Sequence, residues 1–589
     1  MSARRAAVLL AFVAVAAFAN SIGNGFAYDD NEIVLRNPTV VAGRVLDAFA
    51  TPYWPEHAPG TGLYRPVTVA SFALEWPLWN GDPRGFHAVN VLLHAGVTLL
   101  VFALLLGWVS TGPAAVGAAW FAIHPVHTEA VANLVGRAEL WAALFVLAAC
   151  LCYDRVRATT PAARAARLLA ITLCYLAALG SKEIAVTLPG LLVLIALARD
   201  GGRGLARRLR SDAPVFVALA AALGIFLAQR VGVLGSLLGE TAAPELQTLG
   251  TAERLRFALA LWPEYLRLLF VPFDLVADYS PAVLLPPDGW SADVWSGLFV
   301  LAGLVAAATL LATRAPLAAL AIAWFGVAIS PVSQVLFATG VALAERTLYL
   351  PSVAVALLGA AAAQALLRRV DARRLRLAGV AALLFGLALL VRTVDRNPSW
   401  LSTYTVLNTL AAEHPESTLA LRSRGTGLAR AGDVQGALAS YAAALELSPR
   451  NYALLTEVGH FQGEQARWDA GEALLRQALA LAPDRPHAYR LLASQYLMRS
   501  RFREAHGLAV EGWARAGADR ELFAIVSESY VAKGDFPAAL RARRAALAQA
   551  PDSRADWSRL AEILEMAGDS AGAAAVRGSS ASRMGEASP

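Results

Sequence analysis

The chain has 589 residues, 57% of them hydrophobic and 16% charged, with a mean hydropathy of +0.49. That is too apolar and too long for one soluble domain. The net charge of +6 does not point to nucleic acid, because the arginines gather in short loops between apolar runs and only Lys182 and Lys533 are lysines. Cys150, Cys152 and Cys174 lie inside apolar runs, where they read as small hydrophobes and offer no disulfide framework.

From the N-terminus, Arg4 and Arg5 precede an apolar run over 6–19, and Ala17-Phe18-Ala19 resembles a signal-peptidase site. A run of about 14 residues is short for a span, which needs about 20. Ile22, Phe26 and the glycines prolong its apolar character and many spans follow, so an uncleaved first helix is expected. Further runs lie near 88–107, 113–124, 138–153, 166–180, 184–198, 213–230, 292–312, 316–331, 348–367 and 377–394, which makes eleven candidates.

Arg4 and Arg5 place the N-terminus in the cytoplasm by the positive-inside rule. The loops then alternate. Arg155, Arg157, Arg164 and Arg167 fall on the cytoplasmic side, as do Arg199, Arg203, Arg207, Arg208 and Arg210, then Arg314, then Arg368, Arg369, Arg373, Arg374 and Arg376. The stretch 252–276 carries Pro263, Glu264 and Arg267 within its apolar part and reads as an interfacial helix rather than a span. Eleven spans leave the soluble C-terminal part on the non-cytoplasmic side.

This topology collects the charged ends of otherwise apolar helices on the outer face. They are Asp29 and Asp30, the loop 31–87, His124 to Glu139, Lys182 and Glu183, the segment 231–291, and Glu345 with Arg346. Ionisable groups near bilayer depth are costly unless they pair or line a cavity, so their convergence predicts a shared polar site. The adjacent carboxylates of Asp29 and Asp30 repel, which raises one pKa and suits it to proton transfer; the same residues also read as a solvated Asx-rich turn. His124 and His127, with Glu129, have metal-ligand chemistry, but Pro125 interrupts a regular helix and no metal or other cofactor is expected. Their other partners are a phosphate headgroup or backbone carbonyls.

Beyond residue 395 the composition changes. Pro415, Pro449, Pro483 and Pro551 are 34, 34 and twice 34 residues apart, with Gly517 at the skipped position. That is the tetratricopeptide period. It gives repeats near 418–451, 452–485, 486–519 and 520–553, a half repeat at 398–415, and a degenerate repeat over 554–577. Small residues recur where paired helices must approach: Gly425, Gly459, Ala493 and Ser527, then Ala437, Gly471, Ala505 and Ala539. The fold class is therefore all-α, a polytopic membrane domain over 1–395 followed by an α-solenoid over 396–577, with 578–589 expected to be disordered.

Seven short motifs occur in order over 26–351: Phe26-Ala-Tyr-Asp-Asp30, Tyr64-Arg-Pro-Val-Thr68, Gly85-Phe-His-Ala-Val-Asn-Val-Leu-Leu-His94, His124-Pro-Val-His-Thr-Glu-Ala-Val131, Gly136-Arg-Ala-Glu139, Ser181-Lys-Glu183 and Ala344-Glu-Arg-Thr-Leu-Tyr-Leu-Pro351. The ordered set resembles the transmembrane and tetratricopeptide-repeat-containing protein O-mannosyltransferases, within the GT-C class of polytopic glycosyltransferases. The resemblance implies a lipid-phosphate-linked sugar donor and, in eukaryotic members, an O-linked mannose on Ser or Thr. It implies a catalytic base at Asp29 or Asp30. Independently, a departing lipid phosphate needs cationic donors, for which Arg137, Lys182 and Arg346 on the outer face are candidates, with His124 and His127 at the donor headgroup. Supporting residues are then Arg65, Glu129, Glu139, Glu183 and Glu345. The Arg-for-Lys bias and abundant Ala suggest a high-GC bacterial genome. The expected setting is then an inner membrane with the repeats in the periplasm, a polyprenyl-phosphate sugar as donor and a polypeptide acceptor. The runner-up is a non-catalytic membrane-anchored scaffold.

Overall fold

The computed structural model describes all residues except 1, 56–61, 155–159, 201–203, 238–242, 244–245, 247–248, 281–283, 285, 337, 552 and 584–589. Arg155, Arg157 and Arg203 therefore lie outside the described residues. Every regular element among those described is helical. The chain divides into two compact units, Met1–Ala420 and Leu421–Pro589.

In the first unit each of the eleven apolar runs forms a helix, but seven are long and apolar enough to cross a membrane. These are Ala3–Gly23, Pro83–Leu106, Leu134–Asp154, Pro161–Leu179, Ala213–Leu234, Ala292–Leu311 and Ala372–Trp400. The expected spans at 113–124, 184–198, 316–331 and 348–367 are instead helices of 12, 13, 14 and 17 residues, namely Thr111–Ala122, Leu188–Asp200, Pro316–Ile329 and Val353–Arg369. A 12-residue helix is about 18 Å long, well short of a hydrocarbon core of about 30 Å. Three of the four are cut short where a polar turn enters: His124–Gly136 follows the first, and the 3-10 turns Glu183–Thr187 and Glu345–Leu348 precede the second and fourth. Residues 121–140 are almost wholly buried. Irregular backbone at such depth survives only where protein encloses it or it lines a cavity.

Local signals set the helix starts. Pro83 occupies the first turn of its helix and the Asp82 carboxylate accepts from Arg84 N at 3.0 Å; Asp371 caps Arg374 N in the same way at 2.9 Å. Close approach is set by glycine. A Cβ on Gly117 would lie 2.3 Å from the carbonyl oxygen of Ala356, so Thr111–Ala122 and Val353–Arg369 touch backbone to backbone. Thr251–Phe270, the stretch read as interfacial, is a 20-residue helix that buries Phe257, Leu261, Tyr265 and Leu268, and it is not among the candidate spans. The helix Pro66–Trp79 was not foreseen.

The ends of the first and last spans are stitched together. Asn397 Nδ2 donates to Ala17 O at 2.9 Å and to Asn20 Oδ1 at 2.7 Å, and Asn20 Nδ2 donates to Val394 O at 2.8 Å. Residues 24–30 and 397–403 thus leave the helices at one end of this unit.

The second unit is a run of helix pairs: Val434–Leu447 after Thr418–Arg430, then Tyr452–Glu464 with Trp468–Leu481, Pro486–Met498 with Phe502–Ala516, Arg520–Val531 with Phe536–Gln549, and Arg554–Met566 with Ser570–Arg583. Gly459 and Gly471 show why small residues recur, since a Cβ on Gly471 would sit 2.7 Å from Gly459 O. The last helix continues to Arg583, into the stretch expected to lack structure; 584–589 lie outside the described residues.

Candidate functional site

The turn over 26–31 carries the acidic pair, and its geometry divides the two carboxylates. Tyr28 adopts φ +50°, a left-handed conformation that costs a non-glycine residue on the order of 1–3 kcal/mol. The turn is held there by Thr403, whose Oγ1 accepts from Tyr28 N at 2.8 Å and from Asn31 Nδ2 at 3.0 Å. Asp30 is fully buried, and its two oxygens accept from Ala27 N at 3.0 Å and Val135 N at 2.9 Å. It fastens the 26–31 turn to the 134–136 turn. Burial pushes its carboxyl up to about 7, against the pull of those two N–H groups. Asp29, by contrast, is partly open, and among the described residues no hydrogen bond reaches its carboxylate. Burial raises its pKa, Arg346 lowers it, Glu129 raises it and Arg65 lowers it.

The structure pairs Arg65, Glu129, Glu139, Lys182, Glu183 and Arg346 with one another, but not in the pairs that sequence adjacency suggests. Arg65 meets Glu183 with Nη2 at 2.8 Å and Nε at 3.1 Å from Oε2, and its guanidinium lies 4.9 Å from the Tyr53 ring centre. Lys182 pairs with Glu139, and burial lowers its pKa while Glu139 holds it up. Arg346 pairs with Glu129, which also accepts from Arg346 N at 2.8 Å. The Glu129 side chain is 1% exposed and that of Arg346 24%, so the cation is the more open member of the pair. Neighbours such as Lys182 and Glu183, or Glu345 and Arg346, lie at the ends of 3-10 turns, where successive side chains diverge by a third of a revolution.

Five other expected residues are committed to the fold. Arg137 is fully buried, with Nη1 on Glu75 Oε1 at 2.6 Å, Nε on Asn90 Oδ1 at 2.7 Å and Nη2 on Phe86 O at 2.7 Å. It braces Pro66–Trp79 against the span heads and presents no donor to an opening. His124 Nε2 bonds Leu269 O at 2.9 Å, and His127 Nε2 bonds Ser352 Oγ at 2.8 Å between the rings of Phe121 and Tyr349. Burial pushes His124 down to about 4 and His127 well below its usual value, so both are neutral rings and poor phosphate ligands. Glu345 accepts from Val276 N at 2.5 Å and Tyr279 OH at 3.2 Å, and burial lifts it to about 8. Asp30 completes this set. Among the described residues no group of three or more His, Cys, Asp or Glu is arranged to hold a metal ion.

Sequence reasoning missed two contributors. Arg230, 3.6 Å from Glu183, arrives from the Ala213–Leu234 helix, and Glu75 neutralises Arg137 from the Pro66–Trp79 helix.

The tetratricopeptide repeat family matches residues 428–495. A protein O-mannosyl-transferase of Caenorhabditis elegans is 26% identical over 363 residues, 60% of this chain and 50% of that protein. Protein O-mannosyl-transferase TMTC3 of Mus musculus is 25% identical over 81% of this chain and 54% of its own length. TMTC4 of Homo sapiens is 38% identical over 167 residues, 25% of this chain and 22% of that protein. Over the two longer matches the chain spans about half the length of the curated relatives it matches. A solved MamA structure aligns with 28% of this chain and 90% of its own at 18% identity, with a TM-score of 0.25. By these likenesses the chain is a relative of the TMTC protein O-mannosyl-transferases.

Proposed function

We propose that the chain is a GT-C type membrane glycosyltransferase that moves mannose from a polyprenyl-phosphate donor to a Ser or Thr hydroxyl of an exported polypeptide. One observation carries the reading: among the described residues no hydrogen bond reaches the Asp29 carboxylate, and it lies in the electrostatic reach of Arg346, a partly exposed arginine. A base must be free to take a proton, and a leaving phosphate must meet a donor that still has N–H groups to give. Arg346 has five such groups, and Glu129 engages only part of them.

In this reaction the acceptor oxygen attacks the anomeric carbon as its proton passes to Asp29. The bond from that carbon to the phosphate oxygen breaks, and polyprenyl phosphate departs with the electron pair. Arg346 meets the charge that grows on it, with Lys182 and Arg65 as the flanking cations. Each of the three is paired with a glutamate, so none of these cations is left uncompensated. Asp30 holds the turn on which Asp29 sits and takes no proton from substrate. The tetratricopeptide unit supplies the polypeptide-binding surface, and the acidic turn faces the non-cytoplasmic side.

The test is transfer itself. Purified full-length chain in nanodiscs, given radiolabelled polyprenyl-phosphate mannose and a Ser/Thr-rich peptide, is expected to label the peptide and release polyprenyl phosphate in equal amounts. A folded preparation that consumes no donor sinks the reading and leaves the scaffold role.

A further inference from the structure

Pro66–Trp79 is fastened to the ends of three spans. At its start Val67 N donates to Gly180 O at 2.9 Å and Thr68 Oγ1 to Ser181 O at 3.0 Å, where Pro161–Leu179 ends. A Cβ on Gly180 would lie 2.9 Å from Val67 Cγ2, so the valine rests on that span end. Farther along, Glu75 accepts from Arg137 Nη1 at 2.6 Å, in the head of Leu134–Asp154. At its close Trp79 covers Gly85, in the first turn of Pro83–Leu106, where a Cβ would meet the indole at 2.3 Å. A helix of 14 residues is about 21 Å long. Tied at both ends and between to span heads, it lies across them, along the membrane surface rather than through it.

One face of this helix has no protein against it. Val69, Phe72, Ala73 and Glu75 are buried, and the Arg137 guanidinium stands 4.3 Å from the Phe72 ring centre. On the opposite side Val67, Leu74 and Leu78, at i, i+7 and i+11, share a stripe. Val67 is half-buried on Gly180, whereas Leu74 is 60% and Leu78 66% exposed. The stripe therefore points the way Val67 does, toward the span, and past that span none of the described residues covers it.

This face does not suit water. Glu75 is the only charge in the helix and is spent on Arg137, which leaves Ser71 as the one polar side chain near the stripe. The exposed charges of the neighbourhood stand off it, on Arg44 and Asp47 of the loop whose Gly43 packs near Ala73 and Pro77. A second copy is a poor occupant, because two leucines and an indole fall far short of the about 800 Å² per partner that a stable interface buries. Hydrocarbon continuous with that around the spans needs no such area, and a half-exposed indole such as Trp79 belongs at its boundary.

We propose that Pro66–Trp79 is an in-plane membrane anchor whose Leu74 and Leu78 side chains sit in the hydrocarbon of the adjacent leaflet. This role follows from the spans and is independent of sugar transfer.

The experiment introduces an environment-sensitive fluorescent amino acid, one site at a time, in place of Leu74, Leu78 or Arg44 in the full-length chain. Each protein, in nanodiscs of phosphatidylcholine and phosphatidylglycerol, is quenched with a nitroxide lipid labelled near its headgroup and with aqueous iodide. Probes at 74 and 78 are expected to lose most of their emission to the lipid and little to iodide, and the probe at 44 the reverse. Probes at 74 and 78 that iodide quenches as fully as the one at 44 overturn the anchor and mark a water-facing surface. Probes shielded from both quenchers overturn it too, since protein must then cover the stripe. The unmodified chain gives a second reading that no substitution can disturb. A lipid with a diazirine in its upper acyl chain should label Leu74 and Leu78; label on the spans with none on 66–79 ends the proposal.

Discussion

Replacing the two adjacent aspartates one at a time separates scaffold from chemistry. In Asp30→Ala, the N–H groups of Ala27 and Val135 lose acceptors at 3.0 and 2.9 Å in a fully buried place. Each orphaned donor costs about 1–3 kcal/mol, so the variant should lose about 2–6 kcal/mol. Asp30→Asn keeps one acceptor oxygen and should lose about half of that. Asp29→Asn breaks no side-chain hydrogen bond and should stay within about 0.5 kcal/mol of the wild type. Denaturation of the full chain in one fixed detergent then gives the order Asp30→Ala, Asp30→Asn, and Asp29→Asn level with wild type. There is a pH signature as well. The folded Asp30 carboxyl lies at about 7, above its ordinary 3.8, so the folded chain holds an extra proton between those values. Asp30 should therefore contribute a loss of stability as pH rises from about 4 to about 7, and Asp30→Ala should show a shallower slope than the wild type, the remainder coming from groups such as Glu345, which burial lifts to about 8. An Asp30→Ala variant that melts with the wild type, or an Asp29→Asn variant as fragile as Asp30→Ala, refutes the division of labour.

Further outcomes follow from the ion pairs. Arg346→Lys keeps charge but loses the fork, so donor KM should rise while melting temperature holds, and Arg346→Ala should lower kcat too; unchanged rates in both remove Arg346 from the site. Arg137→Ala strands Glu75, whose side chain is 10% exposed, and should cost about 3–5 kcal/mol, most of it recovered in the Arg137→Met, Glu75→Leu double variant; a single variant that melts like wild type contradicts the bracing role. Because burial raises Asp29, and a base acts ionised, kcat/KM should climb with pH through a midpoint above 3.8, and that limb should be missing from the residual rate of Asp29→Asn; a flat wild-type profile down to pH 4 contradicts it.

The fold was legible where one-dimensional periodicity carries it. Apolar runs announced the helices, and a 34-residue recurrence announced the repeats, because each repeat buries the same small residues against its partner. Helix length was less legible. Apolarity continues past Ala122 and begins before Leu188, yet the backbone leaves the helix there to form buried polar turns. Pro66–Trp79 was hidden because Glu75 and Pro77 break its apolar pattern, and only the distant Arg137 explains Glu75. The site residues were visible as charges at helix ends, but their partners were not. Arg346 finds Glu129 across 217 positions, and no local rule reads such a pairing.

In the proposed reaction a free carboxylate at Asp29 drives sugar transfer. The direct measurement compares single-turnover mannosyl transfer by wild type and Asp29→Asn, at equal amounts of folded, donor-saturated protein. A fall on the order of a hundredfold or more in the chemical step is expected, with donor binding and melting temperature unchanged. A variant that transfers at the wild-type rate would show that the base lies elsewhere.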